Sequence, residues 1–121
     1  MKKLKEKERR NSHDYFLKKR NEYAAIYSQV DDETKLIIAH EVFKIKKRKE
    51  TFIGENKIEA GEVFPGKEEF GKSAWTYPTF VSLGNSKEEY ERKIYLSYEK
   101  ALNKFETIKN VEKDEETEEK E

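Results

Sequence analysis

The chain has 121 residues, and its 26 Lys and Arg balance its 26 Asp and Glu, so the formal net charge is zero although 43% of the residues are charged. Hydrophobic residues make up 34%, below the roughly 45–50% of typical globular domains, which indicates one domain with a small core. The absence of cysteine excludes disulfides and thiolate chemistry, and two histidines are too few for a His-rich metal cage. No apolar run reaches the roughly 18–20 residues of a transmembrane helix, and the N-terminus lacks a signal-peptide core, so we expect a soluble cytoplasmic protein without a membrane partner.

Charge is unevenly distributed along the chain. Residues 1–20 carry nine basic and three acidic side chains, a local net of +6, whereas residues 111–121 carry seven acids and two lysines, a net of −5. The C-terminal stretch has a single apolar residue, so burial cannot offset the entropy lost when its backbone is ordered. We therefore predict a basic N-terminal extension over residues 1–11, one domain over residues 12–110 and a disordered acidic tail over residues 111–121.

The first folded element is predicted to be a long helix from Ser12 to Val30, because its apolar side chains recur at helical spacing. Asn11 and Ser12 can cap its start, since a short polar side chain there accepts a hydrogen bond from an otherwise unpaired amide. The residues that define the apolar face are Phe16, Tyr23, Ile26, Tyr27 and Val30.

From Ala39 to Phe52 the pattern changes to a period of two, which predicts a half-buried strand. A turn is predicted over Ile53–Lys57, because Gly and Asn tolerate positive φ. We expect a second strand over Ile58–Phe64 and a third, aromatic-rich strand over Ser73–Phe80. In the first strand, Glu41, Phe43 and Ile45 lie on one side, and Val42, Lys44, Lys46 and Arg48 lie on the other.

The last element is predicted to be a long amphipathic helix. Ser86 and Glu89 form the pattern of a capping box, in which serine and glutamate satisfy backbone amides at the helix start. The order α-β-β-β-α then indicates an α+β fold, with a small antiparallel sheet or partial barrel flanked by two long helices. The apolar stripe of the last helix consists of Tyr90, Ile94, Tyr98, Ala101, Phe105 and Ile108.

The sequence contains none of the common catalytic motifs, so we expect a protein that is not an enzyme and needs no cofactor. His40 and Glu41 are neighbours in the first predicted strand and should therefore point to opposite faces of the sheet. His40 is more easily explained as a structural residue. A pocket that brought His40 together with two carboxylates would instead favour a hydrolase.

Nucleic-acid binding has more support. Lys44, Lys46 and Arg48 alternate along one strand face, where cationic side chains can contact successive phosphates. Lys47 and Lys49 flank them, and three aromatic residues that can stack on bases are near in sequence: Phe52, Trp75 and Tyr77. The sequence also permits a structural interpretation, in which Trp75 and Tyr77 belong to the core and the lysines protect an edge strand.

A third class of function is a protein-binding inhibitor or adaptor that makes no contact with nucleic acid. Tyr95 and Leu102 lie beside the main stripe of the last helix. If the sheet covers only part of this helix, the exposed part can contact a protein partner.

The segment Val63–Tyr77 resembles a signature, F-P-x-x-E-x-F-G-x-x-A-W-x-[YF], of small proteins from Gram-positive plasmids and phages. A basic strand like Val42–Arg48 precedes it in those proteins, and a helix like Lys100–Ile108 follows it. The chain resembles the PrgU-like proteins of enterococcal pheromone-responsive conjugative plasmids, over about residues 13–110. One departure is that Thr79–Leu96 separates the aromatic strand from the matching part of the helix.

The resemblance implies a PUA-like β-barrel fold and a regulator, encoded on a mobile element, that uses RNA to limit expression of conjugation or surface-protein genes. It implies no catalytic residues. The signature also has a structural interpretation without the family, in which Phe70 enters the core, Gly71 allows a close backbone approach and Trp75 anchors the sheet against the last helix.

Overall fold

A five-stranded antiparallel sheet, in the order β1-β2-β3-β4-β9, forms the centre of the computed structural model. The structure describes the backbone of residues 2–120 and the side chains of residues 2–108. One helix, α1 (Lys87–Lys120), follows the last strand, so the predicted α+β class is confirmed. The strands are β1 (Lys7–Arg10), β2 (His13–Arg20), β3 (Ala24–Val30), β4 (Ile37–Lys44), β5 (Lys46–Arg48), β6 (Thr51–Ile53), β7 (Asn56–Ile58), β8 (Gly61–Val63) and β9 (Ala74–Pro78).

The long first helix predicted from Ser12 to Val30 is wrong, because this segment forms β2 and β3. The proposed cap residues Asn11 and Ser12 instead have positive φ angles of 50° and 65° and make the two-residue turn between β1 and β2. Such a turn matches the twist of the two strands it joins, and Asn tolerates this conformation. Residues 24–28 are buried without alternation, because both faces of β3 are covered, so its apolar run also fits a helical pattern.

Residues 2–10 belong to the fold and do not form a separate extension. β1 pairs with β2, and Leu4 is buried. The backbone of Lys2 forms hydrogen bonds with the backbone of Ala60 and Glu62, the two neighbours of Gly61 in the chain. A Cβ atom at Gly61 would lie 2.9 Å from the Cβ of Lys2, so glycine permits this close approach. The domain boundary expected after residue 11 therefore falls within the turn of a hairpin.

The predicted strand over residues 39–52 divides into β4, β5 and β6, and the predicted second strand divides into β7 and β8. β5 pairs with β8, and β6 pairs with β7 across the expected turn, where Gly54 has a φ of 62°. We call residues 46–63, which form these two successive ribbons, the β-arm. Residues 46–57 are all exposed, so most of the β-arm extends away from the central sheet into solvent.

Each face of the central sheet has its own apolar cluster. Phe43 lies on one face, with Leu4 from the N-terminal segment and Phe64 from the loop after the β-arm. Val42 lies on the other face and packs against Phe105 and its neighbours in α1. The predicted alternation of Glu41, Phe43 and Ile45 with Val42 is thus confirmed. The first face is covered by irregular chain and the second by the helix.

The start and the apolar stripe of α1 are as predicted. The hydroxyl of Ser86 accepts a hydrogen bond of 3.2 Å from the amide of Glu89, and Ala101, Phe105 and Ile108 are buried. The backbone of α1 includes residues 111–120, where we predicted a disordered tail, and the side chains of these residues lie outside the described part of the chain.

A buried ion pair joins the base of the β-arm to the sheet. The guanidinium of Arg20 in β2 donates two hydrogen bonds, of 2.6 and 2.7 Å, to the carboxylate of Glu62 in β8. The side chain of Glu62 is 1% exposed, and it also accepts a hydrogen bond of 2.9 Å from the amide of Leu4. The bonds from Arg20 and Leu4 lower the pKa of Glu62 to about 2. This carboxylate therefore holds together β2, β8 and the N-terminal segment.

Replacement of Arg20 by methionine should destabilise the protein by about 3 kcal/mol, because it leaves the carboxylate of Glu62 buried without its counter-ion. Urea unfolding at pH 7 measures this change. The matched control is Lys3→Met, because Lys3 lies 4.0 Å from the same carboxylate but is 69% exposed. We expect the control to cost less than about 1 kcal/mol. Equal losses in the two variants would contradict the proposed role of the Arg20–Glu62 pair.

Candidate functional site

The predicted basic residues lie at the end of β4 and in the first half of the β-arm. Some of their charged groups already have partners within the protein, and others are exposed to solvent. Lys46 donates a 2.7 Å hydrogen bond to Glu69, and Arg48 lies 3.4 Å from the carbonyl oxygen of Glu59. Lys44 is half-buried at the end of β4. Lys47 and Lys49 are exposed and make no ion pair with any described side chain.

The tip of the β-arm exposes two large apolar side chains. Phe52 is 62% exposed and Ile53 is 67% exposed, and the next two residues form the turn. Lys57, opposite Phe52 in β7, pairs with Glu50 at 3.5 Å. The β-arm thus combines free ammonium groups with an exposed aromatic ring, and the sequence had indicated both.

Trp75 and Tyr77 lie elsewhere, on the face of β9 that packs against α1. Both are half-buried, and the ammonium group of Lys104 lies 4.0 Å from the ring centroid of Trp75. The structural interpretation of Trp75 as an anchor against the last helix is confirmed. The two aromatic residues therefore lie against α1 and not in the β-arm with the basic residues, and Lys104 covers the indole ring.

The sheet face opposite α1 carries a cavity of about 480 Å³ that sequence reasoning missed. Glu41 lines it, is 5% exposed, and leaves its Oε2 atom without a hydrogen bond from the described residues. The hydroxyl of Thr76 donates a long hydrogen bond of 3.5 Å to Oε1. The signal in the sequence was an acidic residue at a position whose neighbours on the same strand face, Phe43 and Ile45, are apolar.

Burial governs the pKa values at this cavity. Loss of hydration raises the pKa of Glu41 to about 7, and the hydrogen bond from Thr76 offsets only part of that rise. Burial also raises the pKa of Tyr15 to about 12, and the charge of Glu41 adds to the effect. A buried glutamate that lacks a full set of hydrogen bonds inside an aromatic cavity is suited to bind a polar ligand.

Two other residues of the signature differ from their structural interpretation. Phe70 is 37% exposed and lines the cavity, so its expected place in the core is wrong. Gly71 has no atom within 4 Å of a Cβ placed on it, so it does not serve a close approach, but its φ of 88° favours glycine.

His40 faces α1, on the other side of the sheet from Glu41, as predicted. Its Nδ1 atom lies 3.0 Å from the hydroxyl of Ser97, which itself donates a 2.6 Å hydrogen bond to the carbonyl of Tyr77. His40 therefore donates its Nδ1 proton to Ser97, and burial lowers its pKa to about 4. These contacts show a structural role, and the pocket that would bring His40 together with two carboxylates is not seen among the described residues.

Comparisons with known proteins supply no relative: no family model, curated protein or solved structure matches the chain. Within residues 2–120, no helix has the length and apolar character needed to cross a membrane. Residues 2–108, whose side chains are described, contain no cluster of three or more His, Asp or Glu arranged to hold a metal ion. The candidate sites are therefore described by their own geometry alone.

Replacement of Glu41 by glutamine should stabilise the protein progressively as the pH rises from about 4.5 to 7. The folded pKa lies above the unfolded one, so ionisation opposes folding across this window, and the wild type loses stability that the amide keeps. At pH 8 the variant should be more stable by roughly 3 kcal/mol, and at pH 4 the two should be similar. Urea unfolding at both pH values measures the difference.

His40 also makes stability depend on pH, because its lowered pKa makes the protein less stable as the pH falls from 6.5 to about 4. Both proteins keep His40, so the difference between the variant and wild type reports on Glu41 alone. Glu55→Gln, at the exposed turn of the β-arm, is the control and should change stability by less than about 0.5 kcal/mol. A stability difference between Glu41→Gln and wild type that does not depend on pH would contradict the assigned burial.

Proposed function

We propose that the protein is a non-enzymatic, cytoplasmic RNA-binding regulator whose β-arm makes the main contact with single-stranded RNA. Five cations belong to the proposed contact: Lys44, Lys46, Lys47, Arg48 and Lys49. The observation that carries the proposal is that Lys47 and Lys49 are exposed to solvent in the same β-arm as the exposed ring of Phe52. A cationic ribbon with a stacking ring is a common way to hold single strands.

The β-arm supplies the shape that such a contact needs. Residues 46–57 are exposed throughout, and β6 and β7 pair only with each other. An RNA strand can therefore follow the β-arm without displacing any part of the core. Of the three aromatic residues predicted to stack on bases, Phe52, Trp75 and Tyr77, we assign this role to Phe52. The ring of Trp75 is already covered by Lys104.

The wider assignment rests on the resemblance of Val63–Tyr77 to the PrgU-like signature. On this assignment the fold is related to PUA-like domains, and the gene lies on a mobile element. The protein then limits the expression of conjugation or surface-protein genes. These finer statements are part of the proposal.

A second candidate, a protein-binding adaptor, is favoured by an apolar surface at α1. Tyr95 and Leu96 are 59% and 49% exposed, and Phe80 and Leu83 in the preceding loop are 76% and 75% exposed. Phe80 has a φ of 60°, a strained conformation for an aromatic residue, and the ammonium group of Lys93 bonds to its carbonyl oxygen at 3.0 Å. A stoichiometric protein partner that survives nuclease treatment in a pull-down would favour this function over RNA binding.

Replacement of Lys47 and Lys49 together by glutamine should weaken binding to single-stranded RNA and flatten its salt dependence. Removal of one phosphate-binding cation lowers the slope of log affinity against log salt by about 0.7, so the slope of the double variant should be smaller by about 1.4. Fluorescence anisotropy with a labelled oligoribonucleotide, between low and moderate salt, measures this slope.

The control is the double variant Lys35→Gln and Lys87→Gln, which removes the same charge from side chains that are 70% and 88% exposed outside the β-arm. Its salt dependence should stay close to that of the wild type. Equal slopes for both double variants, or no binding of wild type at low salt, would exclude the β-arm as the RNA contact.

Replacement of Phe52 by alanine should weaken RNA binding by about 1–3 kcal/mol, the cost of losing one stacked base, and should leave the salt dependence unchanged. Ile53→Ala is the matched control, since Ile53 is equally exposed at the same tip but has no aromatic face. The same anisotropy titrations measure both variants. A similar loss in both variants would indicate a general apolar contact and contradict base stacking.

A further inference from the structure

The cavity around Glu41 is open to solvent and is formed by parts of the chain that are distant in sequence. β4 and β9 form its floor with Glu41 and Thr76, and the end of β1 contributes Arg10. The loop after the β-arm contributes Phe64 and Lys67. Its volume of about 480 Å³ lies within the range of roughly 300–1,000 Å³ typical of small-ligand sites.

Glu41 provides one hydrogen-bond acceptor without a partner and one with a single long hydrogen bond at the floor of this cavity. Its Oε2 atom has no partner among the described residues, and its Oε1 atom has only the long contact with Thr76. Buried carboxylate oxygens are nearly always paired, because an unpaired one loses its hydration without compensation. Because Oε2 has almost no solvent-accessible surface, the carboxylate must turn about its last side-chain bond, a broad torsion, to present both oxygens to the cavity. The natural complement is then a ligand with two adjacent N–H donors, which can bind both oxygens at once.

The walls of the cavity suit a flat aromatic ligand. Tyr15 and Phe64 lie edge to face, with ring centroids 5.3 Å apart, and both line the cavity. Phe70 lines it as well and is 37% exposed, so part of its ring is available to a ligand. A planar heterocycle can pack among these rings while its polar edge reaches Glu41.

The remaining charges of the cavity are positive. The guanidinium of Arg10 lies 5.4 Å from the ring centroid of Phe64 and 3.5 Å from the carboxylate of Glu8, and Lys67 is exposed. Two cations among the lining residues oppose a cationic ligand such as an amine or a guanidinium compound. They favour a ligand whose polar edge is neutral and whose other end is an anion.

We propose that this cavity binds a guanine nucleotide, with the Glu41 carboxylate accepting hydrogen bonds from N1–H and the 2-amino group of the base. Guanine alone among the four common bases of RNA presents two parallel N–H donors on one edge. Adenine and cytosine place a ring acceptor beside their amino group, and uracil flanks its single N–H with carbonyl oxygens. The phosphate then lies toward Arg10 and Lys67. The ligand is either a free nucleotide or a guanosine within RNA, and the inference does not depend on the proposed RNA contact of the β-arm.

Calorimetric titration of the full-length protein with guanosine 5′-monophosphate tests the inference. We expect binding at least tenfold tighter than that of adenosine 5′-monophosphate, and no binding of agmatine, a guanidinium compound with paired N–H donors but a positive charge. Glu41→Gln should weaken binding of the guanine nucleotide at least tenfold, because its amide N–H₂ faces the donors of the base. This variant is expected to be at least as stable as the wild type, so loss of folding will not explain the result.

Matched variants and a second probe locate the phosphate and the source of the guanine. Arg10→Gln should weaken the nucleotide more than it weakens guanosine, whereas Lys72→Gln, an exposed lysine that does not line the cavity, should change neither. Binding of the mononucleotide assigns the site to free nucleotides. Binding only of a hexaribonucleotide with one guanosine among uridines, abolished in Glu41→Gln and absent for hexauridine, assigns it to guanosine in RNA.

Four results would overturn the inference: equal affinity for the guanine and adenine nucleotides, binding of agmatine without the guanine nucleotide, unchanged affinity in Glu41→Gln, or binding of neither guanine probe. The outcome is separable from that of the proposed function. The Lys47 and Lys49 double variant should keep its affinity for the mononucleotide, so a failure of the β-arm proposal leaves the cavity result unaffected.

Discussion

The structure depends on one requirement: a sheet whose two central strands are apolar on both sides must be covered on both faces, although the described chain has only one long helix. α1 covers one face through Phe105 and its neighbours. The other face is covered by irregular chain, with Leu4 and Phe64 as its main apolar contacts. Irregular segments need specific polar anchors, and the ion pair between Arg20 and Glu62 is the strongest one here, because it joins the N-terminal segment, β2 and β8.

This arrangement also explains where the candidate sites lie. The irregular cover closes over Phe43 but not over Glu41, so a cavity remains next to a buried carboxylate. The same anchor fixes the base of the β-arm and leaves its outer half exposed to solvent. The surface proposed to contact RNA and the cavity proposed to bind a nucleotide are thus two consequences of the same incomplete covering.

The sequence predicted the elements whose patterns are local. The cap at Ser86, the stripe of α1 and the opposite directions of His40 and Glu41 follow from helix periodicity, capping chemistry and strand alternation. The first helix was wrong because β3 is buried on both faces, which removes the alternation that identifies a strand. Its turn signal, Asn11 followed by Ser12, fits a helix cap as well as a hairpin. The cavity could not be predicted, because its walls come from segments that only tertiary contacts bring together.

The central claim is that the β-arm, with its free ammonium groups and exposed phenyl ring, is the surface that meets RNA. Amide chemical-shift mapping of the labelled protein with single-stranded RNA at low salt tests it most directly. We predict that the largest shifts lie within residues 46–58 and disappear at high salt, while the amides of β9 and α1 change little. Shifts concentrated on α1 and the loop around Phe80, or no shifts at low salt, would contradict the claim.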